Sequence, residues 1–406
     1  MHSMKLPALQ TFQLRGLTLR NRFIKAATYE GMARDGTVTK PLISFHAQMA
    51  ERGVALTTVS YGAVSKFGRT FSDQLLVDHA SVAGLRRLAN AVHSSGGAVS
   101  IQLSHAGGFS KFQQPSGPSR RINLYGLAAG YPVVKAMTED EILATIEDFT
   151  SAASFAREAG IDAIELHLGH GYLLSQFLSP VTNRRRDHWG GGLENRVRFP
   201  EQVIRSVRSA VGDDFPILVK ANLQDGVRGG LTLKDSIQSV RKLLGAGIDA
   251  IIPSGGMVQK NAFYLLRGDV PIKQMAKSED SYLQGLALRA LAPFLIRRYP
   301  YQSTFFFDDA SELKAEIDAP VGLLGGIDSS QAVDRALSSG FEFVVLGRAL
   351  LSDPDFIARY AAGQRFVARC NQCNECIASM HRGVRCTLDL PGSETGRTKI
   401  ANTKRK

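Results

Sequence analysis

The sequence predicts a closed (β/α)8 barrel, a TIM barrel, and two features carry that prediction. Short β-branched runs recur along the 406 residues, and helical patterns separate most of them. Several runs are apolar at every position, Phe343-Val344-Val345-Leu346 among them. Strands that read this way are buried on both faces, as in a parallel sheet flanked by helices. Eight such strands alternating with helices argue for closure into a barrel. An open doubly wound sheet is the rival, but it usually brings a Gly-rich dinucleotide fingerprint after its first strand, and none stands here.

The predicted strands cover 22–27, 54–61, 98–104 and 162–168, then 217–222, 249–254, 320–325 and 341–347. Thr138 and Glu141 form a capping box ahead of a helix over 142–159, which Gly160 ends. Asp328 is expected to cap a shorter helix that stops at Gly340. Two connections exceed simple turns. The stretch 104–138, rich in Pro and Gly, is expected to fold over the barrel mouth, and 254–320 contains a Leu-rich helix near 282–299. The expected organisation is one barrel over 1–365, a Cys-rich segment over 366–390 and a disordered basic tail over 391–406.

With 44% hydrophobic and 21% charged residues, the chain can bury a full core. No apolar run reaches the length of a membrane span, and the first residues lack the apolar core of a secretory signal. A cytosolic setting without membrane partners is therefore expected. The net charge of +12 is partly the tail, where five basic side chains face one acid. A basic surface suits RNA and a phosphate-bearing cofactor equally.

Active sites of such barrels sit at the C-terminal strand ends. The predicted ends divide in two. The first five present polar groups: Ala27-Thr28-Tyr29, Tyr61, Gln102 with His105, His167 with His170 and Tyr172, and Lys220 with Asn222. The last three present glycines: Gly255-Gly256, Gly325-Gly326 and Gly347, with Arg348 next to the last. Glycines let a backbone approach an anion, and an arginine neutralises it, so this half is read as a phosphate site. His167 and His170 allow two readings. With His105 as third ligand they could hold a catalytic metal, or they could donate hydrogen bonds to a substrate oxygen.

The block from His167-Leu-Gly-His170-Gly-Tyr172 to Pro180, followed by Asn183-Arg184-Arg185 and Gly190-Gly191-Gly192-Leu193-Glu194-Asn195-Arg196, closely resembles the old yellow enzyme family. Leu19-Arg20-Asn21-Arg22-Phe23, Gln102 to Gly107 and Leu346-Gly347-Arg348 resemble further stretches of it in the expected order. The resemblance implies a barrel holding FMN, reduced by NADH or NADPH, that passes hydride to an electron-poor alkene (an ene-reductase). It implies that Gln102 and Lys220 hold the polar edge of the flavin, that Ala27 and Tyr61 contact the ring, and that Gly326, Gly347 and Arg348 hold the phosphate, with Gly325 beside them. It implies that His167 and His170 bind the substrate carbonyl and that Tyr172 protonates the carbon next to it. Three positions depart from the family: Tyr29 replaces a Thr or Cys near the ring, Gly108 stands where Arg often follows, and the one Trp, Trp189, lies outside any substrate pocket.

All four cysteines fall in one segment, Cys370-x2-Cys373-x2-Cys376-x9-Cys386. Such clustering points to zinc or an iron–sulfur cluster, with reduced structural thiols as the plain alternative. The spacing resembles the cluster segment of trimethylamine dehydrogenase and dienoyl-CoA reductase relatives. Those relatives continue into a second nucleotide-binding domain, whereas this chain ends 20 residues past Cys386, so an iron–sulfur flavoprotein lacking that partner is an alternative function. An RNA-directed, dihydrouridine-synthase-like flavoprotein is a third. It would want a catalytic cysteine in a barrel loop, and every cysteine here lies beyond the last predicted strand, so a small-molecule substrate is preferred over nucleic acid. Self-association is left open.

Overall fold

The computed structural model describes residues 6–71, 73–110, 114–123, 126, 130–277, 282–388 and 390. The tail expected over 391–406 lies outside them. All eight predicted strands form: β1 (Phe23–Lys25), β2 (Leu56–Ala63), β3 (Ala98–Ser104), β4 (Ala163–Leu168), β5 (Ile217–Asn222), β6 (Ala250–Ser254), β7 (Gly322–Leu324) and β8 (Phe343–Leu346). They lie parallel in the order β6-β5-β4-β3-β2-β1-β8-β7. The ring closes where Ile251 pairs with Val321 and the Ile251 N–H donates to Pro320 O at 2.9 Å. Helices follow the strands in turn, from Lys40–Glu51 after β1 to Phe356–Ala361 after β8. Among the described residues, no helix is long and apolar enough to cross a membrane.

Alternation along each strand explains the layers. In β4, Ile164, Leu166 and Leu168 join the shell under the helices, while Glu165 and His167 face the interior. A hairpin of Phe12–Leu14 and Leu17–Leu19 plugs the N-terminal end, packing Leu14 and Leu19 on Ile24, Leu218 and Phe343. Above that plug the interior is charged rather than oily. Lys25 Nζ lies 2.5 Å from Glu30 Oε1, and Lys220 Nζ lies 2.9 Å from Glu165 Oε1, all four side chains being buried. Charges survive such burial only when paired and hydrogen-bonded.

The capping box forms as expected: Glu141 N donates to Thr138 Oγ1 and Thr138 N to Glu141 Oε2, opening the helix Glu139–Glu158. The cap at Asp328 does not. The helix Ser330–Ser338 is capped by Ser329, and Asp328 instead accepts from Tyr301 Oη at 2.7 Å and Ser303 Oγ at 2.9 Å. Both residues satisfy the preference for a short acceptor at a helix start, and tertiary partners claimed the aspartate. The 104–138 stretch carries a small sheet of Ser116–Gly117, Arg121–Ile122 and Val133–Ala136. The helix Tyr282–Leu295 falls inside the Leu-rich stretch. The Cys-rich segment returns across the strand ends, where Ala368 N donates to Asp328 O and Val384 N to Glu30 O.

Candidate active site

At the floor of the site Glu165 joins two predicted residues. Its Oε1 accepts from Gln102 Nε2 at 2.6 Å and from Lys220 Nζ at 2.9 Å. The three come from adjacent strands β3, β4 and β5, so barrel register alone brings them together. Lys220 Nζ also lies 3.5 Å from Ala27 O at the end of β1. Sequence reasoning missed Glu165, although its place two residues before His167 on a period-two strand was a usable signal.

His167 Nε2 is 2.9 Å from His170 Nδ1, and His170 Nε2 is 2.7 Å from Ser254 Oγ. His170 has a left-handed backbone (φ 61°), uncommon for a residue with a side chain, and Asn222 Oδ1 holds its N–H at 3.0 Å. Burial pushes both imidazoles down, His170 to about 3 and His167 well below its usual range, with Lys220 and, for His167, the neighbouring ring adding to the effect. The pair is therefore neutral at working pH. His167 Nδ1 is buried with no partner among the described residues. His105 stays apart: its Nδ1 accepts from Gly107 N, its ring packs beneath Gly68, and burial lowers it to about 4. Among the described residues, no three His, Cys, Asp or Glu side chains are grouped to hold an ion, so the metal reading of the histidines has no third ligand.

Tyr172 stacks on His167 with ring centres 4.3 Å apart, and its hydroxyl is 2.7 Å from that of Tyr61. Phe109 and Val258 enclose the two tyrosines, and Tyr29 packs beside Tyr61. Burial raises Tyr61 well above an ordinary phenol and Tyr29 to about 12. Tyr29 also faces His381 of the Cys-rich segment, so the position that departs from the family ties that segment to the barrel. Gly108, the second departure, abuts the Arg121 guanidinium: a Cβ there would sit 2.7 Å from Nη2. Trp189 is buried against His188 and Phe199, away from these tyrosines.

A cleft of about 800 Å³, mouth included, runs from His170, Ser254 and Lys220 past Ala26, Ala27 and Thr28 to Gly325, Gly326, Gly347 and Arg348. It has a cationic amine at one end, apolar Leu265, Leu266 and Leu324 along it, and bare glycine backbone at the other. That sequence of surfaces fits a flavin ring, its side chain and its phosphate in turn. Gly326 (φ 80°) has no room for a side chain, since a Cβ would meet Thr304 N at 2.7 Å. Arg348 is held by neutral acceptors, the carbonyls of Leu266 and Arg267 and Asn374 Oδ1, and among the described residues no acid forms a salt bridge with it. Behind Arg348 all four cysteines line one smaller cavity, and Cys370 borders both. Burial, with the neighbouring thiols, pushes Cys376 up to about 12.

Comparison with known proteins shows the family. Residues 9–262 match the NADH:flavin oxidoreductase / NADH oxidase family. The 4,4'-dithiodibutanoate disulfide reductase of Rhodococcus erythropolis is 39% identical over 377 residues, 92% of each chain. An NADH oxidase of Thermoanaerobacter brockii is 30% identical over 94% of this chain, which spans only 55% of that relative. The old yellow enzyme homologue from Zymomonas mobilis superimposes with a TM-score of 0.70 at 22% identity, covering 91% of this chain and 96% of its own. The chain belongs to the NADH:flavin oxidoreductase / NADH oxidase family, and is an NAD(P)H-dependent flavin oxidoreductase of old yellow enzyme type.

Proposed function

We propose that the chain is an FMN-dependent ene-reductase, driven by NADH or NADPH, that reduces the activated C=C bond of α,β-unsaturated carbonyl compounds. The observation that carries the reading is the His167–His170 pair stacked on Tyr172 and Tyr61 beside the cleft, a neutral donor set next to a paired hydroxyl. Gln102 and Lys220, both steered by Glu165, would hold the polar edge of the flavin, with Ala27 and Tyr61 against its ring. Gly325, Gly326, Gly347 and Arg348 would hold its phosphate. When bound, FMN supplies the hydride that it takes from the nicotinamide.

The remaining chemistry belongs to the chain. When the Ser254 hydroxyl donates to His170 Nε2, His170 Nδ1–H donates to His167 Nε2, and His167 keeps its proton on Nδ1. That unpartnered N–H meets the substrate oxygen and stabilises the charge developing there, with His170 orienting it. Tyr172 then gives its proton to the carbon beside the carbonyl. Tyr61, 2.7 Å away, donates to the phenolate oxygen left behind. A disulfide substrate is the second reading, favoured by the activity in the name of the Rhodococcus relative. Purified protein given NADH or NADPH with 2-cyclohexenone or 4,4'-dithiodibutanoate separates the two. Enone turnover well above disulfide turnover is expected, and the reverse would replace the first reading.

The cysteine cavity supports an iron–sulfur cluster over a single ion. Four thiols border one space next to the cleft, yet among the described residues they are not grouped as the ligands of one ion. Anaerobic purification followed by iron, sulfide and zinc analysis is expected to find iron with matching sulfide. Metal-free protein of full activity would leave the cysteines a structural role.

A further inference from the structure

We infer that Arg121 and Gln259 form a subsite for a carboxylate carried by the substrate, at the rim of the Tyr172 site; the inference rests on that site being where substrate binds. Arg121 lies on the small sheet over the barrel mouth, paired with Val134. Its Nη2 donates to Gln259 Oε1 at 3.1 Å, across 138 residues of sequence. The guanidinium is bracketed by Gly108 and Gln259, and each of these adjoins a residue of the aromatic cluster. Phe109, next to Gly108, has its ring 5.6 Å from that of Tyr172. Val258, next to Gln259, packs on the same cluster and donates its N–H to His170 O at 2.9 Å.

What marks the pair is a surplus of donors. A guanidinium carries five N–H groups. Among the described residues, Arg121 spends its hydrogen bonding on one amide oxygen and has no acid partner, and burial without an acid lowers its pKa. Arg185, from the neighbouring loop, shows the usual solution: Asp187 on one side and the carbonyls of Pro118 and Met137 on the other. Gln259 Nε2 is buried and likewise has no partner among the described residues. A guanidinium with N–H groups to spare beside a bare amide N–H suits a bidentate anion, and a planar carboxylate matches the guanidinium fork. The small residue at Gly108 leaves the guanidinium in place, where any side chain would displace it.

The test uses 4-hydroxyphenyl acids of increasing chain length and their methyl esters as non-reacting probes of the FMN-loaded protein. Calorimetry reports affinity, and the flavin absorption band that a bound phenol raises reports the histidine end. At one chain length the acid is expected to bind about tenfold tighter than its ester, as a charge-assisted pair requires. Arg121→Leu should erase that ratio while the ester binds as before, and Arg121→Lys, which keeps the charge without the fork, should retain part of it. An acid-to-ester ratio that is flat in the parent, or equal in parent and Arg121→Leu, overturns the subsite. Loss of the acid preference in Arg121→Leu, with no band from any phenol, would uphold the subsite and overturn the histidine reading instead.

Discussion

Replacing both His167 and His170 by Ala is expected to abolish the long-wavelength band that phenols raise over the flavins of this family, while FMN stays bound. A phenolate sits over the ring only if donors hold its oxygen, and the His167 imidazole stacked on Tyr172, ordered by His170, is the donor proposed to do so. A hydrogen bond to a charged oxygen is worth about 1.5–3 kcal/mol, so losing it should weaken phenol binding roughly tenfold to a hundredfold. Within the pair, His167→Ala should cost more than His170→Ala, because the unpartnered nitrogen is His167 Nδ1 and His170 acts through it. The pH dependence follows from burial. His170 is held near 3 and His167 well below its usual range, so neither gains a proton as pH falls from about 8 to 5. Any change in the band across that window should track the phenol's own ionisation. Phenol binding by the double mutant as tight as in the parent would remove the histidines from the site.

The barrel was legible because parallel strands buried on both faces are apolar at nearly every position, a pattern few other structures tolerate. Strand β3 was placed to the residue, as was β5; the others ran one or two residues long at one end or both, where pairing stops before the apolar run does, and β2 also continues two residues past its predicted end. Polar residues could be placed in the candidate site only where they stood at or near a strand end, as His167 and Lys220 do. Partnerships were not. Glu165 lies mid-strand in an ordinary alternation, and its bonds to Gln102 and Lys220 depend on registers that one strand cannot reveal. The Tyr61–Tyr172 contact joins residues 111 apart, and Arg121–Gln259 residues 138 apart. Ser329 took the cap from Asp328 for the same reason: local preference allowed either, and Tyr301 and Ser303 from a distant loop decided it.

Tyr172→Phe is expected to slow oxidation of the reduced protein by an enone by about a hundredfold to ten-thousandfold, the usual contribution of a positioned acid. Reduction by NADH or NADPH should stay near normal, because that half of the cycle needs no proton from the tyrosine. The placement supports a proton donor over simple packing. The Tyr172 ring lies against His167, which fixes it beside the proposed oxygen-binding end, while its hydroxyl points to Tyr61. Burial makes an isolated phenol a poorer acid. A neighbouring hydroxyl that can donate to the departing phenolate offsets part of that cost, and Tyr61 keeps its proton because burial raises it well above the ordinary range. Tyr61→Phe should therefore slow the same half-reaction, by less than Tyr172→Phe does, because it removes the support and leaves the acid. If Tyr172 only filled space, Phe would fill it equally well, and water would deliver the proton at the parent's rate. Stopped-flow measurement of the two half-reactions decides between them. Parent-like enone rates in Tyr172→Phe would take the residue out of the chemistry and leave it as packing against His167.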